Sequence, residues 1–227
     1  MTDFASKPLR SYGRIKGRRL RAGRAAALDG GMAQARLDLG QGALDPVALM
    51  PGARETWLEL GFGGGEHLAA QADAHPDVLA LGAEPFVNGV ASALRHVQVR
   101  NLGNVRIHPG DGRELMAALP AGSIARVFVL FPDPWPKSRH HKRRLINAET
   151  LAQLARVMRP GAELRFATDW ADYLGWTLER FAASPAFAWT AERARDWREP
   201  PSDHATTRYE SKRLGDCEPT FLEFRRL

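Results

Sequence analysis

Among its 227 residues the chain has one cysteine, Cys217. A single thiol excludes an intramolecular disulfide and any zinc site built on cysteine pairs. That usage suits a reducing compartment, so a cytoplasmic location is expected. Long apolar runs are missing as well. The longest stretch that reads as buried is Val127 to Phe131, far short of the ~20 residues that cross a bilayer, so no membrane partner is expected. The start of the chain carries Asp3, Lys7 and Arg10 with no apolar stretch behind them, and no signal peptide is expected. There is no internal repeat and no low-complexity segment. Acids are missing locally: Lys7, Arg10, Arg14, Lys16, Arg18, Arg19, Arg21 and Arg24 follow one another without a single Asp or Glu between them.

The residues that are present read as one domain with a little left over. At 44% hydrophobic, the chain can build a core without a disulfide or a metal. Lys plus Arg number 32 against 26 acids, a net charge of +6, which hints at a polyanionic partner. A second acid-free cluster strengthens the hint: Lys137, Arg139, Lys142, Arg143 and Arg144, with His140 and His141 inside it. One charge run is usually a solvated face. Two without acids point to phosphate contacts.

Residues 1–50 read as a basic, Gly-rich arm, RNA-contacting and partly flexible, with one amphipathic stretch near 24–37. Residues 51–227 read as the domain proper. From Thr56 onward apolar runs alternate with helical patterns. Strands are expected at 56–60, 78–83, 105–108, 126–131, 162–168, 187–190 and 220–225. Helices are expected up to about 73, over 86–99, before 120–122, over 141–158 with a stop at Pro160-Gly161, and over 170–182. That order predicts an α/β fold with a doubly wound, mostly parallel sheet.

Glu59-Leu-Gly61-Phe-Gly63-Gly-Gly65 joins the first strand to its helix. Such a turn lets a ligand approach backbone closely, and dinucleotide folds use a similar one. Glu59 argues for a different ligand. An acid at that strand end repels a pyrophosphate and attracts a cationic group, such as the sulfonium and ammonium of S-adenosylmethionine. Glu84 closes the second strand, where it suits ribose hydroxyls. Asp111 follows the third strand, where it suits an adenine amine. Each acid alone could be a helix cap; three at successive strand ends gather where open parallel sheets bind ligands. After the fourth strand comes Phe131-Pro-Asp133-Pro-Trp135-Pro-Lys137. Its three prolines predict a rigid, extended loop presenting Asp133 and Trp135 to a flat base.

Six segments together resemble the tRNA (guanine-N7)-methyltransferase family: residues 10–18 (RSYGRIKGR), 58–68 (LELGFGGGEHL), 82–90 (GAEPFVNGV), 131–144 (FPDPWPKSRHHKRR), 167–170 (ATDW) and 207–212 (TRYESK). The resemblance implies the seven-stranded methyltransferase sheet and S-adenosylmethionine as methyl donor, with no metal. The target it implies is guanine 46 in the variable loop of tRNA. It implies that Glu59, Gly61, Gly63, Gly65, Glu84, Asp111 and Asp133 bind the cofactor and that Asp133 is catalytic. Lys137, Asp169, Thr207, Arg208, Tyr209 and Glu210 are implied to bind substrate. Arg139, His140, His141, Lys142, Arg143 and Arg144 are implied to contact RNA, as are Arg10, Arg14 and Arg18. Some members carry Arg-Gly after the last Glu, whereas Ser211-Lys212-Arg213 follows here. Members occur as monomers and as homodimers. Guanine N7 has its own in-plane lone pair, so no base need deprotonate it, and orientation and charge compensation are expected to supply the rate. Three other readings stay open: a nicotinamide-dependent oxidoreductase, a non-enzymatic RNA-binding module, and an S-adenosylmethionine enzyme for another RNA base.

Overall fold

A computed structural model describes residues 12, 13, 15, 17, 19, 20, 22–40 and 43–227, with backbone alone at 24, 27 and 29. Arg10, Arg14 and Arg18 lie outside the described residues. Seven strands form one sheet: β1 (Glu55–Leu60), β2 (Val78–Ala83), β3 (Val105–His108), β4 (Ile124–Leu130), β5 (Met158–Thr168), β6 (Phe187–Trp189) and β7 (Thr220–Arg226). Their order is β3-β2-β1-β4-β5-β7-β6. β7 runs antiparallel to both its neighbours. β2 is buried along its whole length and β1 and β4 along most of theirs, as parallel strands covered on both faces require. The expected doubly wound, mostly parallel sheet is the observed one.

The covering helices are α1 (Ala22–Ala35), α2 (Pro46–Leu49), α3 (Glu66–Ala74), α4 (Val87–Val99), α5 (Gly112–Ala118), α6 (Ala148–Val157), α7 (Ala171–Ala182) and α8 (Arg195–Arg198). Leu58, Leu81, Val127, Val129, Leu164 and Phe166 form the centre of one core. Phe62, Leu68, Val90, Leu94 and Ile107 form a second, with Ala35 of α1 inside it. Strand order reverses between β1 and β4, which opens a crevice at their carboxyl ends.

Three boundaries differ from the sequence reading. Folded packing begins well before residue 51. Leu37 and Leu44 are buried in the main core, and their N–H groups donate to Ile107 O and Ala118 O, both at 2.8 Å. The expected helix over 141–158 starts only at Ala148. Asn147 caps it by accepting the Thr150 N–H at 2.9 Å, and the buried Ile146 N–H is taken by the Tyr173 hydroxyl at 3.3 Å. Residues Ser138–Arg143 make a separate 3-10 turn. β5 begins at Met158, not at Ala162, and carries Pro160 and Gly161 through an exposed stretch opposite a register irregularity at Ile124/Arg126.

Candidate active site

The crevice is a cavity of about 940 Å3, large enough for a cofactor and a base together. Glycines shape its floor. Gly63 has φ 54° and donates its N–H to Glu84 Oε2 at 2.8 Å. An added Cβ there meets nothing within 4 Å, so the turn offers bare backbone to a ligand. At Gly65, φ 78°, a Cβ would stand 2.7 Å from the Ala93 Cα. Only glycine lets α3 start this close to α4.

Glu59, Glu84, Asp111 and Asp133 all line the cavity, as does Gly61. Glu59 and Glu84 are buried. Glu84 Oε1 accepts the Phe86 N–H at 2.9 Å, so two backbone donors fix its carboxylate while each oxygen keeps a free lone pair. Burial nevertheless pushes its pKa up. Glu59 Oε2 lies 2.8 Å from Nδ1 of His67, which has no exposed side-chain surface. Asp111 is the N-cap of α5, accepting the Arg113 N–H at 3.0 Å. The Arg113 guanidinium also grips both its oxygens, at 3.0 and 2.7 Å. The helix-cap reading and the cavity reading therefore both hold for Asp111. Asp133 is open to water on its cavity side but crowded by protein elsewhere. That desolvation raises its carboxyl pKa, and among the described residues no hydrogen bond or cation opposes it.

The loop carrying Asp133 is bent at both ends, not extended throughout. Phe131 (φ 51°) and Trp135 (φ 45°) are left-handed, each immediately before a proline. Such residues cost about 1–3 kcal/mol apiece and persist where neighbours over-determine them. Here the neighbours are plain. The Phe131 N–H donates to Ala167 O at 2.8 Å, and its ring lies 5.5 Å from Tyr209. The Arg143 guanidinium sits 4.9 Å from the rings of both Tyr12 and Trp135.

Arg144 departs from the expected RNA contact. It is 1% exposed. Its Nε donates to Pro134 O at 2.9 Å, its Nη2 pairs with Asp172, and its guanidinium packs 4.9 and 5.0 Å from the Tyr173 and Trp176 rings. It clamps the Asp133 loop through the Pro134 carbonyl and packs into the cavity wall. Arg139 and Lys142 are exposed, as an RNA contact requires, and His140 and His141 are half-buried. Arg143 and Lys142 line the cavity; Lys137 is exposed and does not.

The segment after residue 200 forms the opposite wall. Thr207, Arg208, Tyr209 and Lys212 line the cavity, and Glu210 and Asp169 do not. Thr207 and Glu210 form a capping box: the Glu210 N–H donates to Thr207 Oγ1 at 3.2 Å, and Glu210 Oε2 accepts the Thr207 N–H at 2.9 Å. Asp169 is buried. It accepts from the Tyr209 hydroxyl at 3.2 Å and the Gly215 N–H at 3.0 Å, so both carboxylates hold this wall in place rather than face the cavity. Asp203 is tied to the sheet by Arg126 and Arg165, each at 2.8 Å. Burial pushes the Asp203 carboxyl up, but the two cations outweigh it and hold it low. Sequence reasoning missed His67, Gln71 and His204. The signal for the first two was their i, i+4 spacing on the helix after the glycine turn.

The residues present fit S-adenosylmethionine. Buried acids answer its cationic amino-acid end, bare glycine backbone admits close approach, and Glu84 retains acceptors for hydroxyls. Among the described residues, no group of three His, Cys, Asp or Glu side chains could hold a metal ion. No helix among them is long and apolar enough to cross a membrane.

Known proteins resemble the chain in sequence and in fold. A family model described as "Putative methyltransferase" matches residues 53–219. The chain is similar to the tRNA (guanine-N(7)-)-methyltransferase of Caulobacter sp. (strain K31), 57% identical over 97% of this chain and 96% of that one. It is 49% identical to the enzyme of the same name from Hyphomonas neptunium, over 96% of this chain and 99% of that one. Among solved structures, the 16S rRNA (adenine(1408)-N(1))-methyltransferase of Catenulisporales acidiphilia shares the fold, with a TM-score of 0.55, 21% identity, and 81% of this chain and 92% of that one covered. The tRNA (m1A58) methyltransferase of Aquifex aeolicus does so with a TM-score of 0.51, 19% identity, and 80% and 66% covered. With a near-full-length match at more than half identity, the chain belongs to the tRNA (guanine-N7)-methyltransferase family.

Proposed function

We infer that this protein transfers a methyl group from S-adenosylmethionine to N7 of a guanine in tRNA, with guanine 46 of the variable loop as target. One observation carries the reading. Buried acids and a doubly strained proline loop share a single cavity whose other lining includes the exposed cations Lys142, Arg208 and Lys212. Acids suit a cationic donor, and cations suit the phosphates of the nucleic acid that delivers the base. Work on tRNA, with one free thiol to keep reduced, suits the cytoplasm.

When bound, S-adenosylmethionine supplies an activated methyl group on cationic sulfur, and its transfer leaves the positive charge on guanine. Glu59 and Glu84 hold the donor's amino-acid and ribose ends. Asp133, on the cavity wall, would be the carboxylate that compensates the charge developing on the base, without taking a proton. Trp135 and Tyr209 offer flat apolar surface to an extruded base. The clamped loop supplies orientation, which accounts for much of such a rate.

Two expectations follow from the charges. Asp133 must be ionised to answer a cation, Glu84 must be ionised to accept from ribose hydroxyls on both oxygens, and desolvation raises both pKa values. Activity should therefore fall as pH drops through the raised values, above the usual carboxyl range of about 3.9–4.3. The free enzyme's pKa appears in kcat/KM for the donor, and the Asp133 contribution to this acid limb should vanish in Asp133→Asn. Phosphate contacts should appear as salt dependence. Replacing exposed Arg139 or Lys142 with Ala should lower the slope of log K against log salt by roughly 0.7–0.9 each, with little change in nucleoside product.

The reading is tested by incubating the protein with methyl-labelled S-adenosylmethionine and unmodified tRNA, then separating nucleosides. Label in 7-methylguanosine is the expected result. Label in another nucleoside keeps the fold and donor and overturns the target.

A further inference from the structure

Glu59 ends a buried polar chain that the chemistry above does not use. His67 Nδ1 lies 2.8 Å from Glu59 Oε2, and His67 Nε2 lies 3.4 Å from Gln71 Nε2, one turn along α3. Gln71 Nε2 also donates to the carbonyl oxygen of Asp203 at 2.6 Å. A carbonyl only accepts, which fixes the amide nitrogen at that end and leaves its second hydrogen to His67 Nε2. His67 then accepts at Nε2 and donates from Nδ1 to Glu59. The same ring lies 5.7 Å from that of His204, whose side chain is 2% exposed and whose Nε2 is 2.9 Å from Glu210 Oε2. Glu210 closes the capping box on Thr207. Contacts thus run unbroken from Glu59 on the cavity floor to Thr207, Arg208 and Tyr209 on its far wall.

Stability does not explain this chain. Among the described residues, Gln71 Oε1 and His204 Nδ1 are buried and find no hydrogen-bond partner, each a penalty that apolar side chains would avoid. A partly satisfied polar interior is a poor way to hold a core together. Its two ends do explain it: one meets the donor, the other carries residues that face the substrate.

We propose that His67 is a positioning residue that couples the donor end of the cavity to the substrate wall, so that filling one end raises affinity at the other; this takes the methyltransferase reading as its ground. A cation held by Glu59 immobilises the carboxylate. Through His67 and Gln71 that restriction reaches Asp203, His204 and the capping box. The wall then has less freedom left to lose when tRNA binds, which is positive cooperativity without a new contact.

The test measures the tRNA dissociation constant of the full chain with and without saturating S-adenosylhomocysteine. Wild type should bind tRNA about 5- to 10-fold more tightly in its presence, and tRNA should tighten S-adenosylhomocysteine binding by the same factor. His67→Phe keeps the ring and loses both hydrogen bonds, and its ratio should fall to about 1 while both ligands still bind. His204→Phe should lose the ratio and His204→Gln, which keeps a donor for Glu210, should retain most of it. This pair decides the matter if His67→Phe does not fold. A wild-type ratio of about 1 overturns the proposal, as does an undiminished ratio in both Phe variants, the result a merely structural network gives. Failure of the methyltransferase reading shows separately, as wild-type protein that makes no 7-methylguanosine.

Discussion

Asp133→Asn should melt higher than wild type at pH 7 when free of ligand, yet methylate about 100- to 1,000-fold more slowly. Both halves follow from one fact: crowding in the cleft raises the Asp133 pKa. A carboxyl with a raised folded pKa binds its proton more tightly in the folded than in the unfolded state. Stability is then lost as pH rises from the ordinary value, about 3.9 for aspartate, through the raised one. At neutral pH the ionised group works against folding, and asparagine removes that charge at nearly constant shape. Below both pKa values the carboxyl is neutral in either state, and the melting advantage should disappear. The rate falls because the charge that forms on guanine loses its compensating carboxylate, a contribution made mainly in the transition state. Thermal melts at several pH values and single-turnover methylation check the two halves independently. An Asn variant with an unchanged rate would remove Asp133 from the chemistry.

Arg144→Ala should lower folding stability by about 3–4 kcal/mol and slow methylation even at temperatures where the variant is folded. The buried guanidinium donates to Pro134 O, and a hydrogen bond from a charged group contributes about 1.5–3 kcal/mol. It also packs on Tyr173 and Trp176, at about 0.5–2 kcal/mol for each cation–π contact. The ion pair adds less, because Asp172 is largely exposed and rehydrates when released. Removing the side chain frees the back of a loop that holds two left-handed residues, and Asp133 moves with it. Lysine should not rescue the loss, since it lacks the planar fork that reaches Pro134 and lies between two rings. For a chain of this size the melting temperature should drop by roughly 10 °C. The salt slope of tRNA binding should stay where it is, which separates Arg144 from exposed Arg139 and Lys142.

The sheet and the cavity's acids were legible because each depends on local pattern. A β-branched run such as Val127–Leu130 can only be a buried strand, and Glu59, Glu84 and Asp111 stand at strand ends where an open sheet gathers ligands. Arg144 was not legible. Its charge reads as solvated within Arg139–Arg144, and its burial is set by Pro134, Tyr173 and Trp176, which approach only in the folded chain. The tie between Thr207 and Glu210 was not legible either. Their spacing is that of a capping box, but no apolar helix pattern follows it, and the pairing shows only in the folded chain. The start of α6 was placed too early because helical residues surround Asn147, whose side chain caps the helix only once Ile146 is tied to Tyr173. His67 was passed over because a histidine on an apolar helix is unremarkable until its neighbours across the fold are known.

Delivery of methyl groups from this cavity to N7 of one guanine in tRNA is the reaction on which the predictions above rest. Its most direct test is to treat a methylated tRNA transcript with borohydride and aniline, which cut the chain at 7-methylguanosine, and to map the break. One cut is expected, at guanine 46, absent when that base is changed to adenine and absent when Asp133→Asn replaces wild type at matched short times. Cuts at other guanines, or efficient methylation of the tRNA with no cut at all, would contradict it.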